Sequence, residues 1–172
     1  IIGVDIDDTI TYTTKTIKKY LKQEYPDYDE YKLLPRKQYI RFLKKYMKQM
    51  RSEYELKEGV KEAWDYFREN HYKIIFITAR NNKYYRKSNQ DTLEYLQQNG
   101  LFYDKIYFNE PKKGRSAHKN HVDIFIDDKE SILDNMASYK VKCICMGKSS
   151  KYPSFDNWYQ IIEYLKEENN GR

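Results

Sequence analysis

The sequence predicts an α/β fold: a three-layer, Rossmann-like parallel sheet covered by helices on both faces, with a small helical cap after the first strand. Three observations support this prediction. Short apolar segments of strand length recur along the chain, and amphipathic segments of helical period separate them. Such alternation is typical of parallel sheets with crossover helices. The third observation is a long interval after the first apolar segment that contains only helical patterns.

Five apolar segments have the length and composition of buried strands. They are Ile1–Ile6, Lys73–Thr78, Lys105–Phe108, Asp123–Ile126 and Val141–Met146. The chain of 172 residues is long enough for one domain of this kind and a small insert. Cys143 and Cys145 lie two residues apart on the last strand, where they are held too rigidly to bridge easily, so we expect both to be reduced.

Four helices are predicted between and after these strands from apolar residues that recur on one helical face. Their apolar residues fall within Val60–Phe67, Leu93–Leu96, Ile132–Ala137 and Trp158–Leu165. Asn99 and Gly100 follow the second of them and form a typical helix stop. Each predicted helix therefore follows a strand or precedes the next one, as a parallel sheet requires.

The first interval contains two helical patterns and no strand, from about residue 11 to residue 52. It is too long for an ordinary crossover, so we interpret residues 11–52 as a cap and residues 1–10 and 53–172 as the core. In an open parallel sheet the ligand crevice lies at the carboxyl ends of the strands. An insert that begins at the end of the first strand is expected to cover that crevice as a lid.

The net charge of +6 is concentrated in this insert. Between Lys15 and Arg51 there are 12 Lys and Arg residues against 4 Asp and Glu residues, a local charge of +8, which leaves −2 for the rest of the chain. Two interpretations remain open. The lysines form a solvated helical face, or they form a cationic lid that faces an anionic substrate.

Polar residues cluster where the predicted strands end. They are Asp5, Asp7, Asp8 and Thr9 after the first strand, Thr78 and Arg80 at the end of the second, Lys112 and Lys113 before the fourth, and Asp127 and Asp128 at its end. Because the carboxyl ends of parallel strands meet at one edge, we expect these side chains to lie together. Converging carboxylates need a positive partner, and oxygen ligands of this kind suit Mg²⁺.

Other sites that begin with closely spaced acidic residues do not fit the sequence. A calcium-binding EF-hand loop that began at Asp5 would need Gly at its sixth position and Glu at its twelfth, where the chain has Ile10 and Thr16. The phosphate-binding pattern GxxxxGK[ST] is absent. A response-regulator receiver would need an isolated Asp at the end of a later strand, and neither the second nor the third predicted strand ends in one.

Three motifs resemble those of the haloacid-dehalogenase-like (HAD) phosphatases, in the same order and at the same strand ends. VDIDDTI (residues 4–10) resembles the first motif, IIFITAR (residues 74–80) the second and IFIDD (residues 124–128) the fourth. The third motif of this superfamily is a lysine. Lys113 is the preferred candidate, and Lys112 and Lys119 remain alternatives.

The resemblance implies a role for each acidic residue. Asp5 would be the nucleophile that forms an aspartyl-phosphate. Asp7 would keep its proton, donate it to the leaving oxygen and then deprotonate the attacking water. Asp5, Asp127 and the backbone carbonyl of Asp7 would bind Mg²⁺, and Asp128 would bind it through water or orient its ligands.

The same resemblance implies that Thr78 and Lys113 bind the phosphate oxygens. Arg80 is a further candidate for phosphate binding, and a structural ion pair is its alternative role.

Within the superfamily, the ITAR and FIDD endings and the segment of residues 99–105 resemble bacterial nucleotidases similar to 5'(3')-deoxyribonucleotidases. This likeness implies hydrolysis of nucleoside monophosphates, with the base stacked on aromatic residues of the cap. The candidates for stacking are Tyr12, Tyr39, Phe42 and Tyr46. Tyr39 and Tyr46 could instead belong to the core of the cap.

Two alternatives to a nucleotidase remain. One is a phosphatase of sugar phosphates or another small metabolite; the other, from a different class, is a basic nucleic-acid-binding module on an inactive fold of this kind. For an enzyme we expect a small phosphorylated substrate and no stable nucleic-acid partner, and a homodimer is compatible with the sequence. No apolar segment approaches membrane-spanning length and no signal peptide is visible, so we expect a cytoplasmic protein.

Overall fold

The computed structural model describes residues 1–170 and confirms the predicted α/β fold with a parallel sheet. Six parallel strands pair in the order β3-β2-β1-β4-β5-β6. They are β1 (Ile2–Val4), β2 (Ile74–Ile77), β3 (Lys105–Tyr107), β4 (Ile124–Asp127), β5 (Lys142–Met146) and β6 (Ser154–Phe155). All five predicted strands are present. The sixth, β6, has only two half-buried residues, which is too short to produce an apolar pattern in the sequence.

Within residues 1–170, seven helices accompany the sheet. They are α1 (Thr13–Glu24), α2 (Arg36–Glu53), α3 (Val60–Glu69), α4 (Ser88–Gln98), α5 (Gly114–Lys119), α6 (Glu130–Ala137) and α7 (Trp158–Asn170). A 3-10 turn at Tyr31–Leu33 lies between α1 and α2. The four helices predicted in the core are confirmed, while the short helix α5 was not predicted.

Alternate residues of the strands face two separate apolar layers, as the two-residue period of a strand requires. On one face, Phe76 packs with Trp64 of α3 and Trp158 of α7. On the other face, Phe125 packs with residues of α5 and α6. Gly3 of β1 lies under Phe125, and a Cβ at this position would be 2.4 Å from the ring, so only glycine fits there.

Helices α1 and α2 pack on each other around a third apolar cluster, which includes Leu21, Phe42 and Met50. All three of these side chains are fully buried. This helical unit is separate from the two layers of the sheet, and α2 contacts the core mainly along α4. The division of the chain at residues 11–52 stays a prediction.

The two cysteines lie on β5 as buried, free thiols. Burial raises the pKa of the Cys143 thiol to about 11, which keeps it in the neutral form. Among residues 1–170, no helix has both the length and the apolar character that crossing a bilayer demands.

Candidate active site at the carboxyl edge of the sheet

The ends of β1 and β4 bring two carboxylates together. These strands are neighbours with Val4 opposite Ile126, and the backbone N–H of Asp5 donates to the carbonyl of Ile126 at 3.0 Å. Asp5 and Asp127 therefore occupy equivalent positions at the ends of two neighbouring strands, and both are buried. Together with Asp128 they form a group in which one carboxylate oxygen from each residue lies within 4.8 Å of the others.

Lys113 lies between two of these carboxylates. Its Nζ is 2.6 Å from Oδ1 of Asp5 and 2.6 Å from Oδ2 of Asp127, and only 3% of the residue is exposed. Burial alone would lower the pKa of this ammonium, but the two carboxylates raise it above its usual value. Lys112 and Lys119 are both exposed. Of the three candidate lysines, Lys113 is thus the one that reaches the acidic group.

The acidic group has the properties of a site for a divalent cation. Burial and neighbouring carboxylates raise the pKa of Asp5 to about 6, although Lys113 opposes the change. Burial likewise raises the pKa of Asp128 to about 7, and its Oδ1 is a buried atom without a hydrogen-bond partner. Carboxylates crowded in this way ionise readily only beside added positive charge. Three oxygen donors of this kind fit Mg²⁺.

The carboxylate of Asp7 lies outside this group and is bound by Arg80. The guanidinium of Arg80 donates from Nη2 to Oδ1 at 2.6 Å and from Nε to Oδ2 at 3.0 Å, and the hydroxyl of Thr13 donates to Oδ1 at 2.8 Å. Burial by itself would raise the pKa of Asp7, but the charge and hydrogen bonds of Arg80 outweigh it and hold the pKa far below its usual range.

This pairing favours the ionised form of Asp7, and the expectation that Asp7 keeps its proton beside a bound cation stays a prediction. The pairing results from the direction of Arg80, which follows β2 and points across the strand ends toward Asp7 rather than into solvent. Arg80 also donates to the hydroxyl of Thr92 on α4 at 3.1 Å. Its predicted role in phosphate binding remains a prediction, since its hydrogen bonds go to Asp7 and Thr92.

Thr78 lies at the end of β2, next to β1. Its backbone N–H donates to Tyr107 at 2.9 Å, and its hydroxyl accepts the backbone N–H of Arg80 at 3.2 Å. Val4 is opposite Phe76, so Asp5 and Thr78 follow adjacent strand ends. The residue is fully buried, and its hydroxyl hydrogen remains available to an acceptor.

A cavity of about 470 Å³ lies between the cap and these strand ends. One face of α2 lines it with residues four apart, namely Tyr39, Leu43, Met47 and Arg51. Further residues that line it include Asp7, Asp8, Lys18, Asp29, Glu30, Tyr31, Lys32, Tyr54, Arg80, Tyr84, Tyr85, Asp128 and Lys129. A larger open groove of about 910 Å³ between α3 and α7 contains none of the strand-end residues.

Of the four residues expected to stack on a base, only Tyr39 lines this cavity. Its ring stacks on that of Tyr31 at 5.7 Å. Phe42 is fully buried in the core of the cap, and the hydroxyl of Tyr46 donates to Glu24 at 2.5 Å. Tyr12 does not line the cavity either. The sequence missed Tyr31, because no spacing links a 3-10 turn to the face of α2.

The positive charge of the cap is distributed between two surfaces. Of its 12 Lys and Arg residues, three line the cavity: Lys18, Lys32 and Arg51. Others are exposed and form surface ion pairs, for example Lys15 with Glu55. Most of the cap charge is therefore a solvated face, and a smaller part faces the candidate site.

Arg51 was not among the residues selected from the sequence, although a signal for it exists. It continues the four-residue spacing of Tyr39, Leu43 and Met47 along α2. A cation at the end of an otherwise apolar stripe indicates a charged residue on the buried face of the helix.

No protein-family model matches the sequence, and a search of curated proteins also gives no match. Among solved structures, a HAD-superfamily hydrolase from Ehrlichia chaffeensis is similar, with 18% identity and a TM-score of 0.60, over 96% of this chain and 95% of that one. A β-phosphoglucomutase from Clostridium difficile has 17% identity and a TM-score of 0.64, over 99% and 96% of the two chains.

A predicted phosphoglycolate phosphatase from Haemophilus somnus has 15% identity and a TM-score of 0.67, over 96% of this chain and 97% of that one. At these low identities the similarity establishes the fold alone. It is shared over nearly the full length of each chain.

Proposed function

We propose that this chain, which has the fold of the HAD-like hydrolases, is a Mg²⁺-dependent phosphomonoester hydrolase with Asp5 as its nucleophile. The observation that carries the proposal is the buried group at the ends of β1 and β4. Asp5 and Asp127 meet there, and the ammonium of Lys113 lies 2.6 Å from both. Buried charged groups of this density are typical of catalytic sites.

Asp5, Asp127 and Asp128 would hold the cation, with the backbone carbonyl of Asp7 as a further ligand. When bound, Mg²⁺ would neutralise charge on these carboxylates and on the phosphate oxygens. An oxygen of Asp5 then attacks phosphorus and forms an aspartyl-phosphate as the ester oxygen leaves. Lys113 and Thr78 would bind the non-bridging oxygens during this transfer.

Asp7 would transfer the protons. The leaving oxygen needs a proton in the first step, and the attacking water must lose one in the second. The ionised carboxylate is suited to the second step. For the first step, entry of the substrate must weaken the pairing of Asp7 with Arg80, so Arg80 would control when Asp7 can take up a proton.

For the substrate we propose a nucleoside monophosphate, with a sugar phosphate or a similar small metabolite as the second candidate. The stacked rings of Tyr31 and Tyr39 at the wall of the cavity support a planar base. The similarity to a β-phosphoglucomutase and to a predicted phosphoglycolate phosphatase supports the second candidate equally. A cytoplasmic location and a homodimer remain predictions.

Hydrolysis of p-nitrophenyl phosphate with and without Mg²⁺ tests the reaction type. We expect turnover that requires the cation and that Asp5→Asn abolishes. A screen of nucleoside monophosphates against sugar phosphates then tests the substrate class. Complete inactivity, combined with salt-sensitive binding to DNA or RNA, would contradict the proposal and favour a nucleic-acid-binding module.

A further inference from the structure

The exposed face of α2 carries a row of cations that the chain itself does not neutralise. Four basic residues recur along it at intervals of three or four and are all exposed, namely Lys37, Arg41, Lys44 and Lys48. At 3.6 residues per turn they form one stripe about 16 Å long. Within residues 1–170, none of the four is in an ion pair. This cationic stripe lies outside the candidate site, because none of its residues lines the cavity between cap and core.

The lysines of the neighbouring helix α1 differ, because acidic residues of the same chain pair with them. Lys19 lies 2.8 Å from Glu53, and Lys22 lies 2.8 Å from Asp29. Like charges three or four residues apart on a helix repel each other and destabilise it. The cationic stripe of α2 therefore has an electrostatic cost in the single chain, which an anionic surface from outside would relieve.

A groove of the opposite charge lies between α3 and α7. This groove of about 910 Å³ is lined by six carboxylates and one ammonium, a local charge of −5. The carboxylates are those of Glu62, Asp65, Glu69, Asp156, Glu163 and Glu167, and the ammonium is that of Lys166. In the part of the chain that the structure describes, Glu69, Asp156 and Glu167 have no ion-pair partner. The acidic groove is thus an anionic surface with carboxylates available to a cationic partner.

The cationic stripe and the acidic groove also match in length and in apolar content. Helix α3 has 10 residues and spans about 15 Å, which is close to the length of the stripe. Tyr159 lines the acidic groove with 48% of the residue exposed. Ile40 is half-buried in a shallow depression among the stripe residues. A contact between these two side chains would give an interface an apolar centre with a charged rim, as is usual between proteins.

We propose that the cationic stripe of one copy of this chain binds in the acidic groove of a second copy. Opposite charges favour and steer this contact, whereas two stripes or two grooves repel each other. The stripe does not reach the groove of its own copy, because α2 is packed on α1 and α4 while the groove lies between α3 and α7. The inference is independent of the proposed function, since neither surface contains a residue of the candidate site.

One stripe and one groove form a small interface, so we expect weak association that depends on salt. Sedimentation equilibrium measures it at ionic strengths of about 0.01 M and about 1 M, between which the Debye length decreases from about 30 Å to about 3 Å. We expect a micromolar Kd at the lower ionic strength and a Kd at least about tenfold higher at the upper one. A wild type that stays monomeric at about 1 mM, or that associates equally at both, would overturn the inference.

Charge reversal at exposed positions identifies the two surfaces. The stripe variant combines Lys37→Glu with Lys44→Glu, and the groove variant combines Glu69→Lys with Glu167→Lys. Each variant alone should associate at least about tenfold more weakly than the wild type, because like charges then face each other. In an equimolar mixture the reversed stripe of one variant meets the reversed groove of the other. We therefore expect the mixture to associate again, which a folding defect or an unrelated interface would not produce.

The variant that combines Lys112→Glu with Lys119→Glu is the control. It makes the same change in charge as the stripe variant, at exposed positions outside both surfaces, and should associate like the wild type. Association that is unchanged in the stripe and groove variants, or that mixing does not restore, would overturn the inference. Nucleic acid is the other partner that a cationic stripe can bind. Binding of duplex DNA that the stripe variant loses, in a chain that does not self-associate, would likewise overturn it.

Discussion

Replacing Lys113 by Met is expected to destabilise the protein strongly in the absence of a divalent cation. The substitution keeps most of the side-chain volume but removes the charge 2.6 Å from both Asp5 and Asp127. Removing one partner of a buried ion pair costs about 3–5 kcal/mol, because the remaining charge is left uncompensated. For a chain of this length, 1 kcal/mol corresponds to about 2–4 °C in Tm, so we expect a decrease of about 6–20 °C.

Thermal denaturation followed by circular dichroism in EDTA measures this effect, with Lys112→Met and Lys119→Met as controls. Both control residues are exposed, and their variants should unfold within about 1 °C of the wild type, as is usual for surface substitutions. A Lys113→Met variant as stable as the controls would refute the reasoning.

The loss of stability in Lys113→Met should depend on pH and on Mg²⁺. Asp5 has a pKa raised to about 6 by burial, so it ionises at a cost in the folded state. For a carboxyl group with a raised pKa, stability decreases as the pH rises from its unfolded value through its folded one. The defect of Lys113→Met should therefore be larger at about pH 8 than at about pH 5. Saturating Mg²⁺ should reduce it at about pH 8, because the cation replaces the missing charge.

Three further predictions concern the site. Asp5→Asn should abolish hydrolysis of p-nitrophenyl phosphate with an unchanged circular dichroism spectrum, and near-normal turnover would contradict the nucleophile assignment. Mg²⁺ at about 100 times its Kd should stabilise the wild type by about 2.7 kcal/mol in thermal denaturation, and an equal response in Asp127→Asn would contradict the proposed cation site. Neutralising Lys18 and Lys32, which line the cavity, should raise KM more than it lowers kcat. Lys44→Gln on the exposed face is the control and should change neither parameter. An unchanged KM in the double variant would contradict a cap that attracts anionic substrates.

Much of the fold could be predicted from the sequence because its signals are local. The β2 segment, IIFI, is apolar throughout since both faces of a parallel strand are covered. The apolar residues of α3 recur at helical spacing because only one face of the helix is buried. β6 could not be predicted, because its two residues are included in the sheet only through pairing with Cys145 and Met146.

The positions of the acidic residues at the strand ends could also be predicted, because Asp5 and Asp127 directly follow apolar strands that must be parallel. The partners of these side chains could not. Arg80 turns toward Asp7, and Arg51 enters the cavity from another helix. The first contact depends on the direction of one side chain and the second on how α2 packs against the core, and no sequence spacing provides a rule for either. The pairing of Asp7 with Arg80 was missed for this reason.

The central claim is that Asp5 and Asp127 share one divalent cation within reach of a phosphate ester. The most direct test is a crystal structure with Mn²⁺ in place of Mg²⁺, in which anomalous scattering locates the ion. We predict one peak within about 2.4 Å of a carboxylate oxygen of each residue, a distance normal for such ligands. Side chains of residues 5 and 127 that point into separate regions, with the ion bound elsewhere, would contradict the account.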